Sequence, residues 1–333
     1  MSAEPLLEVE DLSVVFKQGR GQPPLRASDG VGLTIGEGET VGLVGESGSG
    51  KSTIGRAVLG LTPITAGRVR FGGQDITHAG FKERRALSAR LQVVFQDPYS
   101  SLNPARTIGQ TLAEPLLVHR RLSPAELAAA VEATLVRVGL PADAAGKYPS
   151  QFSGGQRQRI AIARALIIEP RLIVCDEPLS ALDLSIQAHV LNLLTQLQKD
   201  TRVSYLFISH DIPLVRHLCH RMVVLYRGQI MESGPSADVY GTPRHPYTQA
   251  LLASVPNPDP RVQKHRTAPA AMVAGPVHSQ AGCPFQGRCP YVIDRCRSER
   301  PAPRTLGGQT VACHRAEELA QRQTTATGSI GGH

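Results

Sequence analysis

The sequence predicts an α/β fold: a core with a small antiparallel β-subdomain, an inserted all-helical subdomain and a cysteine-containing C-terminal extension. Three observations predict it. An apolar run, Thr40-Val41-Gly42-Leu43-Val44, enters a loop with three glycines, Gly45-Glu46-Ser47-Gly48-Ser49-Gly50-Lys51-Ser52-Thr53, and Ile54 to Leu61 then reads as a helix. From about residue 160 to Tyr226, apolar strand patterns alternate with helical ones, the mark of β/α units. Between these stretches, from about 107 to 150, only helical patterns occur.

Leu7, Val9, Leu12, Val14 and Phe16 belong to an alternating apolar and polar pattern and predict an early strand. Residues 17–29, rich in Gly, Gln and Pro, predict a loop, and Val31 to Ile35 a second strand. Residues 67–77 predict a hairpin turning at Gly72-Gly73. Leu91 to Phe95 is a buried-strand pattern that ends at Gln96-Asp97-Pro98. Ile108 to Leu117 predicts the first helix of the inserted lobe, and Ser123-Pro124 with Glu126 starts the next, which runs to about Gly139. Ile160, Ala163, Leu166 and Ile167 recur at helical spacing, and Leu172-Ile173-Val174-Cys175 is wholly apolar, as a central parallel strand requires. A helix (about Ile186 to Gln198), a strand (Val203 to Ile208), a helix (Ile212 to Leu218) and a strand (Met222 to Tyr226) complete the series. No internal repeat is evident, so one core is expected rather than a tandem pair.

Hydrophobic residues make up 41% of the 333 and charged residues 19%, ample material for a large core. The net charge of +8 raises the question of nucleic acid, but Lys and Arg are scattered rather than blocked. A solvated basic surface is the first reading, contact with anionic lipid headgroups the second. The acidic start, Met1 to Glu8, has no basic segment followed by an apolar one, so no signal peptide is expected. No apolar run approaches the length that spans a bilayer. A cytosolic chain is expected, serving a membrane only through a partner. After Gly241 the composition shifts: residues 256–282, rich in Pro, Ala and basic residues, predict a linker, and the tail from 322 to 333 is expected to be disordered.

The loop at 45–53 fits the pattern G-x-x-x-x-G-K-[S/T] between a strand and a helix. Gly45, Gly48 and Gly50 let backbone N–H groups turn inward to form a concave nest for phosphate oxygens, and the following helix points its positive end at the same anion. Lys51 can then reach the β- and γ-phosphates, and the Ser52 hydroxyl can ligate Mg²⁺. The alternative, a Gly-rich turn that ends in Lys-Ser by chance, does not account for the flanking strand and helix. The motif implies a nucleoside triphosphate without saying for what purpose.

The run Phe152-Ser153-Gly154-Gly155-Gln156-Arg157-Gln158-Arg159 is the most specific feature of the chain. Ser153 can cap a helix there, and the glycines allow close approach of a phosphate. With this run in place the chain resembles the ATP-binding subunits of ATP-binding-cassette (ABC) transporters, whose signature is Ser-Gly-Gly-Gln; Phe152 stands where Leu is commoner. The resemblance covers residues 7 to about 235. It implies a P-loop nucleoside triphosphatase (RecA-like) core over residues 1–240, with the helical subdomain at about 97–160. In that family the signature contacts the ATP held by the opposite subunit of a dimer, so Ser153, Gly154, Gly155 and Gln156 are expected to act in trans. By the same resemblance Asp176 is the Walker B aspartate that holds Mg²⁺, Glu177 the catalytic carboxylate that polarises water, and His210 the switch histidine that senses the γ-phosphate. Ser180 to Asp183 match the loop that joins the dimer halves, Gln96 the glutamine that ligates Mg²⁺ and couples to the helical lobe, and Phe16 the aromatic that stacks on adenine. An aromatic ending an amphipathic strand is also often simply core, which is the competing reading for Phe16.

Pro243 to Thr248 and the cysteine-bearing segment that follows are similar to the C-terminal region of the dipeptide and oligopeptide importer ATPases, closest to the dipeptide-type second ATPase subunit. The extension is expected over residues 241–321. Cys175 and Cys219 lie in core segments and are expected to be inert. The spacing of Cys283, Cys289, Cys296 and Cys313 leaves an iron–sulfur cluster, zinc and four unligated thiols all open. The resemblance of Cys283-Pro-Phe-Gln-Gly-Arg-Cys289-Pro to the cluster-bearing stretch of this importer group favours a [4Fe–4S] centre. It further implies ATP and Mg²⁺ as ligands, a second ABC ATPase as heterodimer partner, two membrane permeases, and indirectly an extracytoplasmic peptide-binding protein, all at the cytoplasmic face of the inner membrane. Nickel or a small glycoside is the alternative cargo. A nucleic-acid- or ribosome-associated cassette is a weaker alternative, since the chain has neither long coiled coils nor a second cassette, and no nucleic-acid partner is expected.

Overall fold

A computed structural model describes residues 4–19, 21–255 and 281–320. The linker expected at 256–282 and the tail expected at 322–333 therefore lie almost wholly, and wholly, outside the described residues. The chain divides into two compact units: one takes residues up to Val14, Gly32–Val41 and Ser52–Ser209, the other Val15–Val31, Gly42–Lys51 and the chain from His210 onward. The elements in order are β1 (Leu7–Phe16), β2 (Leu25–Ile35), β3 (Thr40–Val44), α1 (Lys51–Val58), β4 (Ala66–Phe71), β5 (Gln74–Asp75), α2 (Phe81–Leu87), β6 (Leu91–Val94), α3 (Ile108–His119), α4 (Pro124–Arg137), α5 (Gly154–Leu166), β7 (Leu172–Asp176), α6 (Leu184–Thr201), β8 (Ser204–Ser209), α7 (Ile212–Leu218), β9 (Arg221–Tyr226), β10 (Gln229–Pro235), α8 (Ser236–Gly241), α9 (Pro246–Ala253), α10 (Asp294–Ser298), β11 (Arg304–Leu306) and β12 (Gln309–Val311).

In the first unit β6, β7 and β8 are parallel neighbours, with Val94 opposite Cys175 and Asp176 opposite Ile208. Every residue of β7 and β8 is buried, in keeping with the apolar runs Leu172–Cys175 and Tyr205–Ile208 within them. β4 pairs antiparallel with β1 and β5, the latter through the Gly72-Gly73 turn, where both residues have positive φ. The inserted lobe is α3 and α4 packed on each other and on α5. Thr107 and Ser123 open α3 and α4 with reciprocal capping boxes, to Gln110 and Glu126.

The second unit holds an antiparallel ladder, β9–β10–β12–β11. Here the structure continues past the β/α series expected to end at Tyr226. β9 does not lead to another helix but turns at Arg227-Gly228, φ +45° and +77°, straight into β10. A second departure is β2, which starts at Leu25 rather than Val31, because Leu25 and Arg26 are exposed, the buried Ser28 is polar and Gly30 takes φ +67°, which together blur the alternation. α2 is a third: its Lys-Glu-Arg-Arg run hides any apolar period, and Glu83 caps it by accepting from the Gly80 N–H at 2.8 Å.

Candidate functional site

The glycines of the phosphate loop are required by close backbone approach. At Gly45 (φ +155°) a Cβ would lie 2.1 Å from the Leu225 carbonyl oxygen, and at Gly50 (φ +100°) it would lie 2.0 Å from that of Ala27. No side chain fits either place. Gly48, at φ +76°, faces open space, so the crest of the loop is accessible. Lys51 is only 4% exposed; its Nζ donates to the carbonyls of Gly45 and Glu46, both at 2.9 Å, which arches the side chain back along the loop. The buried Ser49 hydroxyl has no hydrogen-bond partner. An ammonium group and an orphaned buried hydroxyl on the same loop fit a phosphate group, which would supply the missing acceptor.

The loop is also gripped by the chain from the C-terminal side. Arg288 donates from Nη1 to Glu46 Oε2 at 2.8 Å and from Nη2 to Oε1 at 2.9 Å, while the Glu46 N–H donates to Tyr247 Oη at 3.0 Å. Sequence reasoning missed both residues as parts of the site. They lie 242 and 201 positions from Glu46, a separation no local pattern reports.

In the other unit, Ser52 Oγ donates to Asp176 Oδ1 at 2.6 Å. Asp176 ends β7 and is 6% exposed. A hydroxyl and a carboxylate in that arrangement are a donor set for Mg²⁺, which takes oxygen ligands and keeps waters of its own. Glu177 follows at φ +47°, an uncommon conformation for this residue type, held by its N–H donating to the Ile208 carbonyl at 3.0 Å. Gln96 Nε2 donates to Glu177 Oε2 at 3.4 Å, and Ser180 Oγ donates to the Glu177 carbonyl at 3.1 Å. Thus Ser52 meets Asp176, and Gln96 and Ser180 meet Glu177. Asp183 sits at the N-cap of α6 without a side-chain capping bond.

Ser153 caps α5 as its position in the sequence suggests. Its Oγ accepts from the Gln156 N–H at 3.4 Å, and Gln156 Oε1 accepts from the Ser153 N–H at 3.0 Å. Both residues are exposed. Gly155 has a steric reason inside its own chain: a Cβ there would meet Ile186 Cγ2 at 2.5 Å, so α5 packs hard on α6. Phe16 is 41% exposed, which sets aside a purely core role. His210, directly after β8, is exposed as well.

Cys283, Cys289, Cys296 and Cys313 all line one small cavity, together with His245, Phe285 and Gln286 among others. Burial pushes the Cys283 thiol up to about 12 and Cys289 up to about 11, and the neighbouring cysteines add to both rises. Among the described residues no group of three or more His, Cys, Asp or Glu side chains is gathered tightly enough to hold a metal ion. Cys175 is buried in β7 and Cys219 is buried just after α7, as expected.

This site and fold can be set beside known proteins. The ABC transporter family model matches residues 28–180, and the model of the oligopeptide/dipeptide transporter C-terminal region matches residues 231–296. The oligopeptide transport ATP-binding protein OppF of Escherichia coli (strain K12) is 46% identical over 324 residues, 94% of this chain and 97% of that protein. The di/tripeptide transport ATP-binding protein DppF of Pseudomonas aeruginosa (strain UCBPP-PA14) is 44% identical over 322 residues, 95% of this chain and 99% of that one. Among solved structures, the ATP-binding cassette MJ0796, dimeric and bound to ADP and Pi in a post-hydrolysis state, superposes with a TM-score of 0.63 at 29% identity, covering 69% of this chain and 98% of the other. The loop of residues 45–53 and the strand-end carboxylates lie in or beside the first matched region, and the cysteine cavity draws on the second. The chain belongs to the ATP-binding subunits of the ABC transporter family, in the group that carries the oligopeptide/dipeptide transporter C-terminal region.

Proposed function

We propose that this chain is the ATP-hydrolysing subunit that energises import of di- and oligopeptides through a membrane complex. The observation that carries the reading is the Ser52–Asp176 bond with Glu177 next in the chain: an Mg²⁺ donor set followed directly by a second carboxylate, a group able to polarise water. In this reading Gly45 to Thr53 bind the triphosphate and Phe16 stacks on adenine. Lys51 and Mg²⁺ offset the charge that develops on the transferred phosphoryl group, Glu177 orients the attacking water, and His210 and Gln96 report the γ-phosphate. Ser153 to Gln156 complete a site on a second ABC ATPase, with Ser180 and Asp183 at the joint.

Residues 1–240 then form the ATPase domain and 241–321 the extension particular to this group. The names of OppF and DppF support peptide cargo, which other subunits select. An open groove of about 930 Å³ between α3 and α4, lined by Ala113, Leu117, Val118, Leu127 and Val131, supports docking of a membrane permease on the helical lobe. Such docking would put the chain at the cytoplasmic face of the membrane, with two permeases and an extracytoplasmic binding protein completing the proposed machine.

The extension's four cysteines hold a [4Fe–4S] cluster in this reading. What supports it is the one cavity that all four cysteines line. Bound, the cluster would keep the four sulfurs as thiolates despite their burial. Anaerobically purified chain should contain iron and absorb broadly near 400 nm; iron-free, colourless protein sinks the cluster. Co-purification of the permeases followed by uptake of labelled dipeptides tests the function, and ATP-dependent uptake of nickel or a glycoside in place of peptide would overturn the cargo.

A further inference from the structure

We infer that Arg288 and Tyr247, both in the C-terminal region, are positioning residues for ATP binding: they clamp the second residue of the phosphate loop and cancel the charge it carries. Glu46 is an acidic residue on a loop built to receive polyanionic phosphate. Unpaired, its carboxylate would repel the ligand at short range. The bidentate Arg288 fork takes both carboxylate oxygens, at 2.8 and 2.9 Å, and so neutralises the charge and fixes the direction of the side chain. The backbone is held too, because the Glu46 N–H donates outward to Tyr247 Oη.

The clamp is seated on buried aromatic rings. Tyr247 and Phe285 are each 1% exposed, and Tyr226 packs against them with ring centroids 4.6 and 5.4 Å away. The Arg288 guanidinium lies 5.9 Å from the centroids of both Tyr226 and Phe285, in range of cation–π attraction. The two partners retain 26% and 40% side-chain exposure, so solvent weakens the pair without dissolving it. A bidentate fork seated on a buried aromatic cluster is a more persistent arrangement than an isolated surface ion pair. The C-terminal region therefore serves the nucleotide loop directly, apart from anything its cysteines hold.

The inference rests on the reading of residues 45–53 as the phosphate site, and the test separates the two. Full-length wild-type protein, Arg288→Ala, and the double variant Arg288→Ala/Glu46→Gln are titrated with Mg-ATP by displacement of a fluorescent ATP analogue. The hydrolysis KM and kcat are measured in the assembled complex. Arg288→Ala should weaken ATP binding about tenfold and raise KM more than it lowers kcat. Adding Glu46→Gln removes the uncompensated charge and should recover at least half of that loss on a logarithmic scale. Unchanged affinity in Arg288→Ala overturns the clamp while the phosphate-site reading stands. A loss that Glu46→Gln does not recover also overturns it, because Arg288 would then act only through the fold of the extension. Wild-type protein that fails to bind Mg-ATP overturns both.

Discussion

Gln96 Nε2 donates to Glu177 Oε2 across 3.4 Å, so the segment after β6 reaches the carboxylate that follows β7. The long distance marks a weak bond, and Gln96 is exposed. A weak neutral partner suits a carboxylate that must orient water: it restrains the side chain without neutralising its charge. In the proposed reading the carbonyl oxygen of the same amide would ligate Mg²⁺ and so link the inserted lobe that begins after Gln96 to the reacting centre.

Replacing Glu177 with Gln should therefore leave ATP binding within about threefold of wild type and lower kcat by about 10²–10⁴-fold, the usual worth of a general base. The measurement is single-turnover hydrolysis in the assembled complex with the partner's own site silenced. Near wild-type hydrolysis would remove Glu177 from the mechanism and leave the acid–base role to another group.

Ser52→Ala should separate nucleotide affinity from metal dependence. The hydroxyl that donates to Asp176 at 2.6 Å is the one expected to turn to Mg²⁺. Without it, the tightening of ATP binding by added Mg²⁺ should shrink from its wild-type value by about tenfold, while metal-free binding hardly moves. Equal Mg²⁺ enhancement in both proteins would place the metal elsewhere.

Much of this site was legible in the sequence because its residues answer local demands. The loop shows itself through glycines that nothing else can replace, and β7 through an apolar run that ends in two carboxylates. Ser153 and Gln156 are legible as a cap because capping is decided within three residues. What stayed hidden is long-range or contradicts local polarity. β10 contains Glu232, an acidic residue that is fully buried, so the strand does not read as one. The grip of Arg288 on Glu46 joins the two ends of the sequence. Gly155 was legible as a glycine of the signature, but its contact with Ile186 required the packing of α5 on α6.

Gly50→Ala should abolish ATP binding without unfolding the chain. The added methyl would sit 2.0 Å from the Ala27 carbonyl oxygen at a φ of +100°, so the loop must move rather than the side chain adapt. Equilibrium binding and thermal unfolding, read together, check this. A variant that binds ATP normally would mean that the loop tolerates the shift and that its observed shape is not the binding shape.

Glu232 supplies the last prediction. Both of its oxygens are used: Oε1 accepts the Arg244 N–H at 2.8 Å and Oε2 the His245 N–H at 3.0 Å, just ahead of α9. Burial pushes its carboxyl upward, while the Thr248 side chain, these N–H groups and the Arg244 charge draw it back. Glu232→Gln is nearly isosteric and removes the buried charge, which taken alone would favour folding. It also replaces one acceptor by an NH₂ facing an N–H donor, leaving two buried donors in opposition. The second effect should dominate, because an unsatisfied buried donor costs about 1–3 kcal/mol, while the Arg244 and His245 N–H groups already offset part of the cost of burying the charge. Denaturant unfolding should show a loss of that size. Since α9 carries Tyr247, which holds the Glu46 N–H, ATP affinity should fall in the same variant. A stability loss with unchanged ATP affinity would show that Glu232 anchors the C-terminal region without setting the phosphate loop.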